Sequence, residues 1–553
     1  MAVSGTRASG SDLKPMELDE LEAFLAQQIE AAETFNNELG EERADMFDRY
    51  MGKEYGDEDP DSSQVVSSDV TDTVEWIMPS LMDIFTSTDN AVRFEPTGPE
   101  DEAAADQETA VIGHVFYNKN NGFLTLHSAF KDAMLAKNGI IKWRWEEKER
   151  VELIEHEKLS DEDLAQIIED LEQKEAEVEV VEQESVQVGV APDPSVPFEQ
   201  AQVIGAIVPV YEHRVKLRAR YIDGELKVEP VPPEDFIISP RHNSVFVDNV
   251  PFCAHGIRTT VGDLIAQGYD EDVVTKLPTF DDDYDDLSNQ RSSRHEGDSG
   301  IDQETMAWAG AAMRPVRVYE CFVRVDYDGD GIPERRKVLT GGRGSSKVLT
   351  RDGEPDIEEL SGPPPFANLT PILMSHKFHG RSIAELVADL ARIKTVLLRQ
   401  FLDNVYGTQN ADIEIPEPAL GENTIDDLLV QRAGGRIIRT AAPGMMKPMA
   451  PPPLGDSILA AVEYIDGMRE NRSGVTRYNQ GLDASSLNKT ASGINAILTA
   501  SQQKIQLIAR VFAETGLKAL FRGMHQTLRQ YARREMAMKL RNEWVEIDPR
   551  QWR

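Results

Sequence analysis

Four acidic side chains stand at the spacing that a hard cation asks for. Asp326, Asp328, Asp330 and Glu334 fall in the stretch VDYDGDGIPE, with glycines at 329 and 331. Carboxylates on alternate residues can wrap a divalent ion while glycine lets the chain turn, as at the start of a calcium loop. The position that closes such a loop with a bidentate glutamate is Lys337 here. Asp and Gly also build plain turns between strands. The stretch therefore reads either as a structural cation site or as an acidic hairpin turn, and in neither case as catalytic. GGRGSSK (341–347) lacks the GxxxxGK[ST] spacing of a phosphate loop and reads as a surface turn. His376 and His379 have no carboxylate or cysteine cluster to complete a metal site. Trp143-Arg144-Trp145 alternates as a strand does, which suits core and rim packing better than base stacking. No serine elbow, paired acid/base motif or dinucleotide fingerprint is present, which points away from an enzyme and from any cofactor beyond that one cation.

The 553 residues suffice for several domains, and 40% hydrophobic content suffices for real cores. Cys253 and Cys321 make no disulfide framework, so a reducing interior is expected. No apolar run reaches the ~18 residues of a membrane span, and the polar N-terminus is no signal peptide. The formal charge of −39 opposes tight nucleic-acid binding, which needs basic footprints on phosphates. The same charge serves solubility, and an acidic surface also lets DNA pass without sticking.

The elements that must carry these residues follow from periodicity. Residues 1–14 look disordered. Pro15 suits a first helical turn, and Leu18, Leu21, Leu25, Ile29, Ala32, Phe35 and Leu39 predict a helix ahead of a polar loop, 50–63. Val70, Val74, Ile77, Leu81 and Phe85 predict a second helix that Pro79 should kink or split, and two short helices follow over 100–120 and 122–138. IIKWRWEE reads as a strand, and VPVYEHRVKLRARYIDGELKVEPV as a hairpin around Asp223-Gly224. Between them the charged insertion from Glu146 to about Glu184 reads as a solvated helical excursion started by Ser160 and Asp163, with Leu164, Ile167, Ile168 and Leu171 as its stripe. Residues 279–300 read as a flexible acidic loop. PVRVYECFVRVDYDGDGIPERRKVLT then reads as two β-rich arms around the Asp-Gly turn.

Everything C-terminal to these is organised by helices. Ser382-Ile383-Ala384-Glu385 is a capping box, followed by an apolar stripe to Gly407. A Pro- and Gly-rich stretch with strand-like pieces at Ile413–Ile415 and Arg436–Arg439 interrupts it, and Pro451-Pro452-Pro453 stops that excursion. Asp456 or Ser457 caps a returning helix that ends near Gly474. From Asn488 to about Leu540 a single helical stripe predicts roughly 75 Å of rod. Gly493, Gly516 and Gly523 are its natural bending points, and a rod this long asks for neighbours.

This order, with the phrases SQVVSSDVTDTVEWIMPSLMDIFTS (63–87), HGRSIAELVADLARIKTVLLRQFLDNVYGTQN (379–410), GVTRYNQGLDASSLNKTASGINAI (474–497) and IARVFAETGLKALFR (508–522), resembles the portal (head–tail connector) proteins of short-tailed double-stranded-DNA phages. The resemblance implies an α+β portal fold: mainly α-helical, with a β-rich wing, a stem helix pair, a small α/β clip and a long tunnel helix. It would place the wing at 15–375, including the insertion 146–200 and the acidic loop 279–300. The stem helices would be 380–407 and 456–474, and the clip 408–455. A tunnel loop would span 475–487, the tunnel helix 488–541, and further wing or crown would start at 542–553. In the family, NEWVEIDPRQW is expected to be followed by more wing strands and a crown.

The resemblance further implies a non-enzymatic ring, usually twelve-fold, at one capsid vertex of the virion, assembled in the host cytoplasm. Implied partners are the terminase large subunit, tail and adaptor proteins, major capsid and scaffolding proteins, and double-stranded DNA passing non-specifically; no membrane is involved. Channel or partner contacts would fall on Asn479, Gln480, Asn488 and Lys489, and on Arg432, Arg436 and Arg439 of the clip, with solvated charge as the plain alternative for each. The packaging motor would be a separate protein. The rival from another class is a cation-stabilised, self-assembling scaffold without a DNA channel; a hydrolase built on Asp/Glu pairs rests on composition alone.

Overall fold

The computed structural model describes residues 14–532 except 58, 61, 88–91, 97, 99–101, 174–175, 193–206, 280–293, 295–309, 343–346, 410–411, 430–437, 443, 445–446, 450, 453–454 and 476–502; beyond 532 it describes 536–540, 543–547 and 552. The helices are α1 (Leu18–Met51), α2 (Asp69–Thr86), α3 (Glu102–His114, continued by a π-turn Val115–Lys119), α4 (Gly122–Ala136), α5 (Asp161–Gln173), α6 (Val261–Ala266), α7 (Glu271–Val274), α8 (Ile383–Gln409), α9 (Thr424–Leu429), α10 (Gly455–Ser473) and α11 (503–531). The strands are β1 (Gly139–Leu159), β2 (Ala176–Pro192), β3 (Ile207–Val231), β4 (Phe236–Ile238), β5 (Phe252–Thr260), β6 (Pro315–Val325), β7 (Glu334–Gly341), β8 (Thr350–Arg351), β9 (Glu354–Pro355), β10 (Ile357–Glu359), β11 (Phe366–Leu369), β12 (Asp412–Glu414), β13 (Lys447–Met449), β14 (Met536–Leu540) and β15 (Glu543–Ile547). The chain is thus α+β. Among its described residues no helix is long and apolar enough to cross a membrane.

The chain divides into two compact units. The first comprises residues 1–92, 121–142 and 229–521. Its centre is an antiparallel sheet ordered β10-β7-β6-β5-β4, in which β6 and β7 are the two arms expected around the Asp-Gly turn. Both faces are covered, so successive residues of β6 and of the start of β5 are buried rather than alternate ones. Ile237, Ala254, Tyr319, Cys321 and Val323 meet Leu21, Leu25, Ile29 and Ala32 of α1 on one side. Cys253 and Phe322 join Phe236, Ile238, Phe366 and Phe378 on the other. The two cysteines therefore lie in different cores. α1 begins at Leu18 rather than at Pro15 and continues to Met51, where Gly52 at φ +72° ends it. Pro79 lies inside α2 without splitting it. The first residues of β1 pair with β11, from Gly139 opposite Leu369 to Lys142 opposite Phe366.

The second unit comprises residues 93–120, 143–228 and 522–553, and it corrects two expectations. VPVYEHRVKLRARYIDGELKVEPV is not a hairpin around Asp223-Gly224 but the single strand β3, which lies between β1 and β2 in a sheet ordered β11-β1-β3-β2. Gly224 is required for another reason: a Cβ there would stand 2.1 Å from the Trp145 ring, which covers the backbone. The charged insertion is likewise more than a helical excursion. α5 does start on the Ser160/Asp163 cap (Asp163 N to Ser160 Oγ, 3.2 Å), but strands β1 and β2 flank it. The charges set the register of the β2–β3 pair. Glu177, Glu179 and Glu184 of β2 face Arg220, Arg218 and Arg214 of β3, and Glu182 faces Lys216. Opposite charges directly across a ladder favour that pairing over its one-residue slip. Beneath them Val215, Leu217, Ala219 and Tyr221 pack with Leu171 and the α5 stripe.

The long C-terminal helix is shorter than its stripe suggested. It ends at Tyr531, and Met536–Leu540, expected as its last turns, instead form β14 against β15. Gly493 lies outside the described residues. Gly516 sits in a π-turn, Ala513–Leu517, where a Cβ would come 2.5 Å from Leu369 Cδ2. Gly523 lies under Trp143, whose ring would be 2.0 Å from a Cβ.

Two effects compete at Gly523. Helix propensity alone predicts that Gly523→Ala stabilises by about 1 kcal/mol. Overpacking against a buried ring costs about 1–3 kcal/mol, so we expect net destabilisation in chemical denaturation. In a Trp143→Ala background the same change should become neutral or stabilising, because the blocking ring is gone.

Candidate functional site

The helix pair α8/α10 begins from a local signal. Glu385 N donates to Ser382 Oγ (3.1 Å) and Ser382 N to Glu385 Oε2 (3.3 Å), the reciprocal capping box. The first turns are buried at Ile383, Ala384, Val387, Leu390, Ala391 and Thr395. Beyond Thr395 no described residue of α8 is fully buried. α10 returns alongside with Ile458 and Ile465 turned inward, and Asn404 Nδ2 donates to the Pro452 carbonyl (3.0 Å) at the far end. Much apolar surface stays open: Ile393, Val396 and Tyr406 of α8, with Leu459 and Tyr464 of α10, are 43–71% exposed.

One buried carboxylate pins this pair to α2. Asp69, 2% exposed at the start of α2, accepts from Ser67 Oγ (2.7 Å), Lys394 Nζ of α8 (3.1 Å) and Arg469 of α10. Asp466 meets the same lysine at 2.7 Å, so two carboxylates and two cations form a neutral quartet. Burial pushes the Asp69 carboxyl up, but the Ser67 hydroxyl and the charges of Lys394 and Arg469 outweigh it and hold the group below its usual range. Ser67 N also donates to Thr395 Oγ1 (3.0 Å), and Arg472 of α10 reaches Asp389 of α8 (2.7 Å).

The segment leading into α2 lies along α8. Ser63 N donates to Asp403 (2.7 Å), Arg399 Nε to the Val65 carbonyl (2.9 Å), and Asp57 sits 3.4–3.5 Å from Arg399 and Arg392. Between α8 and α10 the chain makes the small mixed excursion. β12 covers Asp412–Glu414, close to the expected Ile413–Ile415, and pairs with Lys447–Met449; of the other strand-like piece, 436–439, residues 436 and 437 lie outside the described residues. Arg439 forks onto Asp427 through Nε and Nη2, both at 2.9 Å, so this cation is engaged within the excursion. Leu420, Ile425 and Leu429 are 41–76% exposed on it.

A family model described as "Phage SU10 portal protein" matches residues 21–553. The chain belongs to that family. No curated protein matches it. It is therefore a portal protein of a short-tailed phage, a head–tail connector that serves DNA packaging. Portal proteins are structural capsid components rather than enzymes, form oligomeric rings, and meet capsid, terminase and tail proteins. The rival scaffold without a DNA channel has no support from this match.

The residues singled out from the sequence fare unequally in this portal protein. Asn479, Gln480, Asn488, Lys489, Arg432 and Arg436 lie outside the described residues. In the acidic turn, Asp326, Asp330 and Glu334 bring carboxylate oxygens within 4.8 Å of one another, and Asp328 does not join them. Gly329 N (2.8 Å) and Asp330 N (3.1 Å) donate to Asp326 Oδ1, and Gly331 N to its Oδ2 (2.9 Å). Arg336 holds Asp328 (3.1 Å) and Glu334 (3.3 Å). Backbone amides and a guanidinium thus supply the positive partners that a cation would bring, and the donor set fits a self-closed turn better than a cation site. The turn seats the start of α1: Met16 N donates to the Tyr327 carbonyl (3.0 Å), and a Cβ on Gly329 would lie 2.4 Å from Lys14 C.

Two outcomes follow. Millimolar calcium or a chelator should leave the melting temperature unchanged, while Asp326→Asn should cost about 2 kcal/mol through weakened charged hydrogen bonds. A calcium-dependent rise would restore the cation reading. Asp69→Asn should cost about 3 kcal/mol, because it leaves buried cations short of a partner. The carboxyl's depressed value means that its contribution is fully present above its ordinary value of 3.8 and is lost as the pH falls below it. Acid unfolding of Asp69→Asn should accordingly show a weaker pH dependence than that of the parent below pH 4.

Proposed function

We propose that this chain forms a ring, twelve-fold as is usual for portals, through which viral DNA is packaged and ejected. In this reading α8 and α10 are the stem and the excursion 408–455 is the clip that meets the terminase large subunit and later the tail and adaptor proteins. Residues 475–487 face the channel, with Asn479, Gln480, Asn488 and Lys489 as its contacts, and α11 lines the tunnel. Residues 15–375 are the wing, placed toward the major capsid and scaffolding proteins, and the ring assembles in the host cytoplasm. Arg432 and Arg436 remain contact candidates of the clip, whereas the Asp427 pairing of Arg439 favours a structural part for that residue.

The observation that carries this reading is the unfinished helix pair. Its base is pinned by Asp69, yet Ile393, Val396, Leu459 and Tyr464 are exposed along its flanks. Burying a side chain of that size is worth about 1.5–3 kcal/mol, and neighbouring copies of the same pair would supply the cover. The exposed Leu420, Ile425 and Leu429 similarly favour a docking role for the excursion. The chain's charge of −39 favours weak adhesion to DNA, as a conduit needs.

Electron-microscopy class averages of the purified protein should show closed rings with a central hole wide enough for duplex DNA. Paired charge substitutions, Ile393→Glu with Val396→Glu, should abolish the rings while leaving the far-ultraviolet circular dichroism of the subunit unchanged. Rings that persist with both glutamates would exclude this flank from the interface, and ATP hydrolysis at motor-like rates by the isolated protein would contradict a passive conduit.

A further inference from the structure

A pocket of about 870 Å³ opens in the first unit between α1, the segment after β4, the turn preceding α8 and the first turns of α8. Its wall is apolar at Phe35, Leu39, Ile238, Met374 and Phe378. The acids around it are already matched. Lys137 holds Glu42 and lies 2.8 Å from Glu385, which Arg381 also meets at 3.5 Å, while Asp45 meets Arg49 at 3.0 Å and Asp389 meets Arg472 at 2.7 Å. Arg241 and Lys377 line the same pocket, are exposed, and have no acidic partner among the described residues. Beside Lys377, His376 holds φ +60°, a left-handed conformation that a non-glycine residue adopts at a cost and that is common where a surface is shaped for a ligand.

An apolar recess under two unmatched cations is out of keeping with a chain of charge −39. We propose that this pocket is a docking site for an acidic peptide of a partner protein, in which a bulky apolar side chain flanked by carboxylates enters the recess. The volume is in the range that takes a drug-sized ligand and so admits such side chains with part of their backbone, and Arg241 and Lys377 select the flanking charge. Duplex DNA fits less well, since its phosphates need a longer basic track and offer nothing to Phe35 or Leu39. The site is separate from the flanks of α8 and α10 that carry the ring reading, and it stands or falls independently of them.

The test is fluorescence anisotropy with a labelled Asp-Asp-Phe-Leu-Asp-Asp peptide on the full chain, assembled and unassembled. Saturable binding to both forms is expected, with loss when Phe-Leu is replaced by Ser-Ser. Arg241→Glu with Lys377→Glu should weaken it about tenfold, the scale of two exposed charge pairs. The same variant should gain affinity for Lys-Lys-Phe-Leu-Lys-Lys, a gain that misfolding cannot produce. Unchanged binding by the charge-reversed variant would overturn the proposal. So would displacement of the peptide by a short DNA duplex, which would make the site one for nucleic acid. Binding to the unassembled chain alone would also overturn it, because a neighbouring copy would then be the occupant.

Discussion

A helix pair left exposed along much of its length must be held at its base, and here the holding group is a buried carboxylate. Asp69 lies at the start of α2, where the helix dipole already favours negative charge, and it draws a cation from each member of the pair. Taking such charges out of water costs several kcal/mol each, and the attraction offsets this only when geometry and hydrogen bonds are complete. Ser67, Lys394, Arg469 and Asp466 complete them. The quartet therefore fixes direction rather than adding much net stability. Slipping either helix by one turn would move its cation by about 5.4 Å and strand Asp69. The strap of Asp57, Ser63 and Val65 along α8 extends the same constraint outward.

Beyond that anchor, local chemistry no longer completes the structure. Ile383, Val387 and Leu390 are buried, whereas Ile393, Val396 and Tyr406, further along the same helix, are exposed. The stripe continues in sequence while its cover within one chain runs out. For a member of a ring-forming family, the proposed ring would supply the missing cover from neighbouring copies. The acidic surplus of the chain is not spent uniformly either. In the second unit, glutamates of β2 face arginines and a lysine of β3, where charge serves strand register rather than solubility.

Much of this was legible in the residues. The Ser382/Glu385 box and the hairpin around Asp326–Glu334 were read from signals that act within a few residues, and their hydrogen bonds stand as expected, whereas the returning helix starts at Gly455, ahead of the caps expected at Asp456 or Ser457. The failures came where a distant partner decides. Asp223-Gly224 looked like a turn, but its glycine answers to the ring of Trp145. The Glu-rich alternation of β1 and β2 looked like solvated helix because neither strand shows its partner locally. The helical stripe was carried past Tyr531 because Met536–Leu540 is apolar at either period, and only its pairing with Glu543–Ile547 makes it a strand. The anchor itself was missed for the same reason, since Asp69 is 325 residues from Lys394 and 400 from Arg469.

The central claim is that the α8/α10 pair is fixed at its base within one chain and completed along its length only by neighbouring copies. Hydrogen–deuterium exchange on assembled and unassembled fractions addresses this directly, because slow exchange follows burial and local stability residue by residue. The account predicts that residues 383–395, at the Asp69 anchor, are protected equally in both fractions. It predicts that residues 396–409 and 455–466 exchange quickly in the single chain and slow markedly on assembly. Equal protection of those outer segments in both fractions would contradict it.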